Sequence, residues 1–320
     1  MTLEELNSNY NFLREIPNLC YVTTAGSRAY GTDNENSDLD IRGFFMDLKK
    51  DIFGIGKPTE QFVDENTDTV IYSFKKIVKL LSECNPNTIE LLGTRKKDKI
   101  FMNCIAHDLI DNKDMFLSSR AFYSFGGYAT AQLRRLENAL ARDSYPKEEK
   151  ERHIMLSLES EMNAQEDVFK SLDKDSCPEF YMENGELYID LNMNHVKLRD
   201  FLRMKNCIST TVSNFDKIGH RNHKKDENHL CKHAMHLLRL YFMCIDILEK
   251  GEVITYREKE RDLLLSVRNG EVPMEKVFQM QKDLENRMQV AMDNTKLPKT
   301  PDYDRINKFV IDEFSKFYLV

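Results

Sequence analysis

The chain has 320 residues, 41% of them hydrophobic and 31% charged, with a net charge of −7 and a pI of about 5.7. That length exceeds what one hydrophobic core ordinarily serves, so two domains are expected of an otherwise ordinary folded composition. The acidic balance argues against a protein that grips long nucleic-acid duplexes through a basic stripe, so any nucleic-acid contact should be local.

Neither an 18-residue apolar span nor a signal-peptide core is present, and the opening MTLEELNSNYNFL is polar and amphipathic, so a cytoplasmic location is expected. The seven cysteines, Cys20, Cys84, Cys104, Cys177, Cys207, Cys231 and Cys244, are odd in number and scattered without a C-x-x-C pair. Such usage suits a reducing compartment and argues against a disulfide framework or a structural zinc site. No internal repeat or low-complexity tract interrupts the chain.

In chain order, Leu3 to Leu13 holds good helix formers behind Thr2, and Pro17 closes the segment. The apolar, β-branched run Leu19 to Thr24 predicts a strand that ends at Ala25-Gly26-Ser27. After ten residues rich in Gly, Asn and Asp comes Ser37-Asp38-Leu39-Asp40-Ile41, a second strand. Strand side chains alternate, so Asp38 and Asp40 project to one side, roughly 6.5 to 7 Å apart, with Leu39 and Ile41 on the other.

Two carboxylates on one face raise each other's pKa by repulsion, and a divalent cation removes that cost. Hard cations such as Mg²⁺ or Mn²⁺ take carboxylate, phosphate and water oxygens, and paired metals clamp the attacking and leaving oxygens of a phosphoryl transfer. The aspartates therefore point to a nucleoside triphosphate. Gly26 lets the backbone approach a phosphate without a Cβ in the way, Ser27 adds a hydroxyl and an amide N–H, and Arg28 adds a cation. Read alone, these residues are also compatible with solvated strand-edge aspartates beside a simple turn.

The ordered set Gly26-Ser27, ten residues, Asp38-Leu39-Asp40 resembles the DNA polymerase beta nucleotidyltransferase superfamily. The fuller GSRAYGT, SDLDIRG, CNPNTIELL and KHAMHLLRL, spread from about Tyr21 to Val272, resemble its RNA-repair-pathway polymerase beta branch, a set of predicted nucleotidyltransferases. The resemblance implies transfer of a nucleoside monophosphate from a triphosphate, with a third carboxylate on a neighbouring strand.

Asp47 to Glu60, with Gly54, Gly56 and Pro58, reads as a loop or short strand connection, and Asp68 to Tyr72 as the next strand. Asp68, at its start, is the first choice for the third carboxylate or for the base on the attacking hydroxyl; a solvated turn residue or an N-cap is the other reading. From Phe74 the period becomes helical, to break at Cys84-Asn85-Pro86-Asn87. Asn87 and Glu90 have the spacing of a capping box, which is the plain reading of Glu90, the second choice for the third carboxylate.

Beyond the basic, solvated run Arg95-Lys96-Lys97 the pattern is helical: Ser119 to Ala141, then Lys147 to Leu172. Asn184-Gly185 between Phe180-Tyr181 and Leu187-Tyr188-Ile189 signals a small hairpin. Asn228 to Glu249 is apolar around most of its circumference, yet Lys232, His236 and Arg239 fall at i, i+4 and i+7 on one stripe. Such a stripe needs an anion. Its expected role is to bind the triphosphate across the cleft from Asp38 and Asp40, pairing with acids on neighbouring helices being the other reading.

His229 and His233 have i, i+4 spacing able to bind zinc, but no further ligand follows in pattern. Three amphipathic helices, Arg257 to Arg268, Met274 to Met292 and Asp302 to Tyr318, complete the chain. The expected architecture is α/β plus α: a mixed-sheet nucleotidyltransferase domain over residues 1–110, and a mainly helical domain over 111–320 that closes the active cleft. The expected acceptor is an RNA or tRNA end, with a protein, a small molecule or a non-catalytic nucleotide-binding role as alternatives.

Overall fold

In a computed structural model, the structure describes residues 11–34, 37–65, 67–144, 158, 179–183, 186–191, 195–220 and 227–318. The first described residues form a 3-10 turn, Asn11–Glu15, and the rest of the expected helix from Leu3 lies outside the described residues. β1 (Leu19–Thr24) leads into the short α1 (Gly26–Tyr30), then β2 (Ile41–Phe45), α2 (Lys49–Phe53), β3 (Gln61–Asp64) and β4 (Thr69–Ser73). α3 (Phe74–Ser82), α4 (Pro86–Ile89), β5 (Lys99–Met102), α5 (Cys104–Asp111) and α6 (Arg120–Ser144) follow.

The sheet is mixed, in the order β3-β4-β2-β1-β5. β2 and β4 are parallel, whereas β1 with β2, β1 with β5 and β3 with β4 are antiparallel. Leu13, Ile16, Val22, Ile41, Phe45 and Ile71 form one buried cluster. Tyr21, Phe44 and Phe74 form an aromatic row, with centroids 5.9 and 5.7 Å apart, that Phe314 meets edge-on at 5.7 Å. The expected mixed-sheet region followed by a mainly helical region is what the chain forms.

Local details differ from expectation for identifiable reasons. The second strand starts at Ile41, not Ser37, because β1 bends into α1 after Ala25 and leaves the preceding residues without a ladder partner; Ala25 N–H to Asp40 O, at 2.8 Å, is the last rung. The connection after Asp47 contains α2. Asn85, not Asn87, caps α4: its side chain accepts from Asn87 N–H at 3.0 Å, with Pro86 in the first helical position.

The chain divides into two compact units, Met1–Leu136 with Glu227–Val320, and Glu137–Asp226. In the first unit, α8 (Glu227–Lys250) packs on α9 (Arg261–Arg268) and α10 (Met274–Asn294), and α11 (Tyr303–Tyr318) meets α3. In the second, β6 (Glu179–Glu183) and β7 (Glu186–Asp190) make the expected antiparallel hairpin, followed by α7 (Leu198–His220). Asn184-Gly185 and the expected helix Lys147 to Leu172 lie outside the described residues, apart from Leu158 in the latter. Among the described residues no helix is long and apolar enough to cross a membrane.

Candidate active site

The site grows from the point where β1 ends. Gly26 has φ +57°, and a Cβ there would lie 1.6 Å from Asp40 Oδ2 and 2.7 Å from its Cγ. The turn thus presses its backbone on the Asp40 carboxylate, an approach that only glycine permits. α1 begins at Ala25 without a side-chain cap and ends at Gly31, φ +77°, whose N–H reaches the carbonyls of Ser27 and Arg28. Five residues make only a small dipole, so Ser27 would act through its own amide and hydroxyl.

Parallel pairing of β2 with β4 opposes Ile41 and Thr69 and so brings Asp68 beside Asp40. Burial first, and then the neighbouring Asp68 carboxyl, push the Asp40 pKa up to about 6, against the pull of Arg42 and Lys232. Asp68 itself is in the left-handed region, φ +44°, and Arg42 holds it there, with Nη2 at 3.0 Å from its Oδ1 and Nη1 donating to its carbonyl. Asp38 is exposed, two residues before Asp40. Arg28, expected to meet phosphate, braces this segment by donating to Ser37 O at 3.2 Å and Asp38 O at 3.5 Å.

The three aspartates are thus not gathered alike. Among the described residues no three His, Cys, Asp or Glu side chains converge on one metal position. Asp40 and Asp68 form a crowded pair that a divalent cation would relieve, so the donor set fits a metal completed by nucleotide oxygens.

The basic stripe on α8 divides. Lys232 is exposed, and its charge favours the ionised form of Asp40. Arg239 is 1% exposed and pairs with the buried Glu90 at 3.2 Å, while its guanidinium lies 3.6 Å from the centre of the Tyr30 ring. Tyr30 OH donates to the same Glu90 oxygen. Burial raises the Glu90 pKa and Arg239 opposes the rise. Arg239 Nε has no hydrogen-bond partner among the described residues.

His236 lies between these ends. Its Nδ1 is 3.0 Å from Arg239 Nη2, and because a guanidinium only donates, Nδ1 accepts and the neutral ring carries its proton on Nε2. Burial, then the charge of Arg239, holds its pKa well below the usual imidazole range. Glu90 therefore makes no capping box with Asn87: Asn85 caps the start of α4, and Glu90, which follows its last residue, is the buried carboxylate to which Arg239 and Tyr30 are tied.

Two site residues were not singled out on the sequence. Arg42 had a signal, since it lies two residues beyond Asp40 and alternation places both on one side. Tyr30 had only its place after Gly26-Ser27-Arg28-Ala29.

Residues 1–155 match the model of RlaP, the RNA repair pathway DNA polymerase beta family. That span holds the Gly26-Ser27 turn, all three aspartates and Glu90, while the stripe on α8 lies beyond it. No curated protein and no solved structure matches the chain.

Proposed function

We propose that this protein is a metal-dependent nucleotidyltransferase that moves a nucleoside monophosphate from a triphosphate to an acceptor hydroxyl, most readily that of an RNA or tRNA end. The observation that carries the reading is the Asp40–Asp68 pair, set against a glycine turn whose backbone leaves no room for a side chain. The family match over residues 1–155 supports a nucleotidyltransferase-like function.

Asp40 and Asp68 would hold Mg²⁺ or Mn²⁺, with Asp38 as a further ligand from the adjoining loop. When bound, the metal supplies charge neutralisation at the phosphate oxygens. Gly26 and Ser27 receive the phosphates, and Lys232, exposed on α8 and felt electrostatically by Asp40, adds a positive charge. Arg28 supports Ser37 and Asp38, while Arg239 and His236 carry the Tyr30–Glu90 layer beneath the turn. The acceptor oxygen bonds to the α-phosphorus, the bond to the β-phosphate bridge breaks, pyrophosphate leaves, and Asp68 takes the hydroxyl proton. Chemistry of this kind asks the protein for positioning and charge, not for a covalent intermediate.

The net charge of −7 favours a second reading, in which the acceptor is a protein or a small molecule. Incubation with each α-labelled triphosphate, total RNA and total protein separates them: the account predicts label in RNA with Mg²⁺ or Mn²⁺, and label in protein alone supports the second reading.

A further inference from the structure

A cleft of about 400 Å³ opens beside the aspartate segment. Its lining includes Thr24, the last residue of β1 before the glycine turn, and Leu39, which stands between Asp38 and Asp40. Four cations, Arg28, Arg95, Lys97 and Arg261, line it against two acids, Asp33 and Asp98, in a chain whose net charge is −7. The balance of this wall is thus opposite to that of the whole molecule.

The wall is held in place before any ligand arrives. Arg95 forks onto Asp98 at 2.6 and 3.3 Å, and its guanidinium stacks 3.3 Å from the centre of the Tyr256 ring. Gly31 admits that ring, since a Cβ there would stand 2.2 Å from it, and Arg261 Nε donates to Gly31 O at 2.7 Å. A guanidinium has five N–H donors, so Arg95 and Arg261 keep donors in reserve after these bonds. Lys97, exposed, lies 5.9 Å over the same ring.

We propose that this cleft seats the phosphodiester backbone of a single-stranded RNA acceptor next to its reacting end, an inference that rests on the nucleotidyl-transfer reading for the word acceptor but not for the binding. The cations come from α1, the turn before β5 and α9, so they are spread along a path and not focused on one phosphate. A fixed guanidinium stacked on an aromatic ring with an ammonium nearby, beside the segment ahead of β2 that carries Asp38 and Asp40, suits a sugar-phosphate strand. A duplex would need a longer basic stripe than this acidic chain offers.

Fluorescence anisotropy of a labelled short single-stranded RNA tests this with the full chain, as wild type, Lys97→Glu and Arg261→Gln, alongside triphosphate binding by the same proteins. The expected result is RNA affinity weakened about tenfold by Lys97→Glu, a salt slope shallower by about 0.7 per lost contact, and triphosphate affinity unchanged. Absence of RNA binding by wild type, unchanged affinity and salt slope in both variants, or an equal fall in triphosphate affinity would overturn it, the last by giving the cleft to the nucleotide. Should Arg261→Gln melt early for want of the Gly31 contact, the exposed Lys97 carries the test. An enzyme that transfers no label yet loses RNA binding on Lys97→Glu would contradict the proposed reaction and leave the cleft assignment standing.

Discussion

Gly26 and Asp40 are packed so closely that a methyl group on the glycine would stand 1.6 Å from a carboxylate oxygen of the aspartate. Gly26→Ala must therefore move Asp40 and also place a side chain at φ +57°, a strain of about 1–3 kcal/mol. Label transfer should fall at least about a hundredfold with only a modest drop in melting temperature. Transfer at the wild-type rate would show that the contact is incidental.

Asp38→Asn and Asp40→Asn test the metal ligands separately. Asp40→Asn removes a half-buried carboxylate crowded by Asp68, so it should abolish transfer and metal binding without lowering the melting temperature of the metal-free protein. Asp38→Asn, in an exposed segment, should reduce transfer with equally little effect on stability. Calorimetric titration with Mn²⁺, beside a melt, checks both; metal binding retained by Asp40→Asn would remove it from the ligand set.

Arg239 and Glu90 are each other's counter-ions in a dry environment. Removing one partner of such a pair typically costs about 3–5 kcal/mol, whereas replacing both with apolar residues of similar volume is far milder. Arg239→Ala should therefore lower the melting temperature steeply and weaken mono- and triphosphate alike, and Arg239→Met with Glu90→Leu should recover much of the loss. Lys232→Ala should weaken the triphosphate more than the monophosphate and leave the melt unchanged. The reverse pattern would make Arg239 the phosphate ligand.

These contrasts show what the residues disclosed before folding. Strand, glycine turn and paired aspartates are local, and residue type alone orders them. The proximity of Asp68 to Asp40 depends on the parallel pairing of β2 with β4, which only the assembled sheet supplies. The Glu90–Arg239 bond spans 149 positions, so the basic stripe announced a need for an anion without saying which one. Asn85 and Asn87 are equally good caps by type, and the proline between them decides in favour of the first.

His236 sets a pH dependence. Its folded pKa lies below the ordinary 6.5, so the unfolded chain takes up a proton first as pH falls. The stability gained by keeping the ring neutral is present above about 6.5 and is lost below it. The advantage of wild type over His236→Gln in melting temperature should be larger at pH 7.5 than at pH 5.5. An advantage that grows on acidification would mean that the ring is charged in the folded protein.

Transfer itself is the most direct test. Wild type, Asp40→Asn and Asp68→Asn are incubated with α-labelled triphosphate, Mg²⁺ and RNA, and label in RNA is measured together with released pyrophosphate. The account predicts equal amounts of both products from wild type and neither from the two variants. Label incorporated as fast by either variant, or no label in any acceptor from any triphosphate, would contradict it.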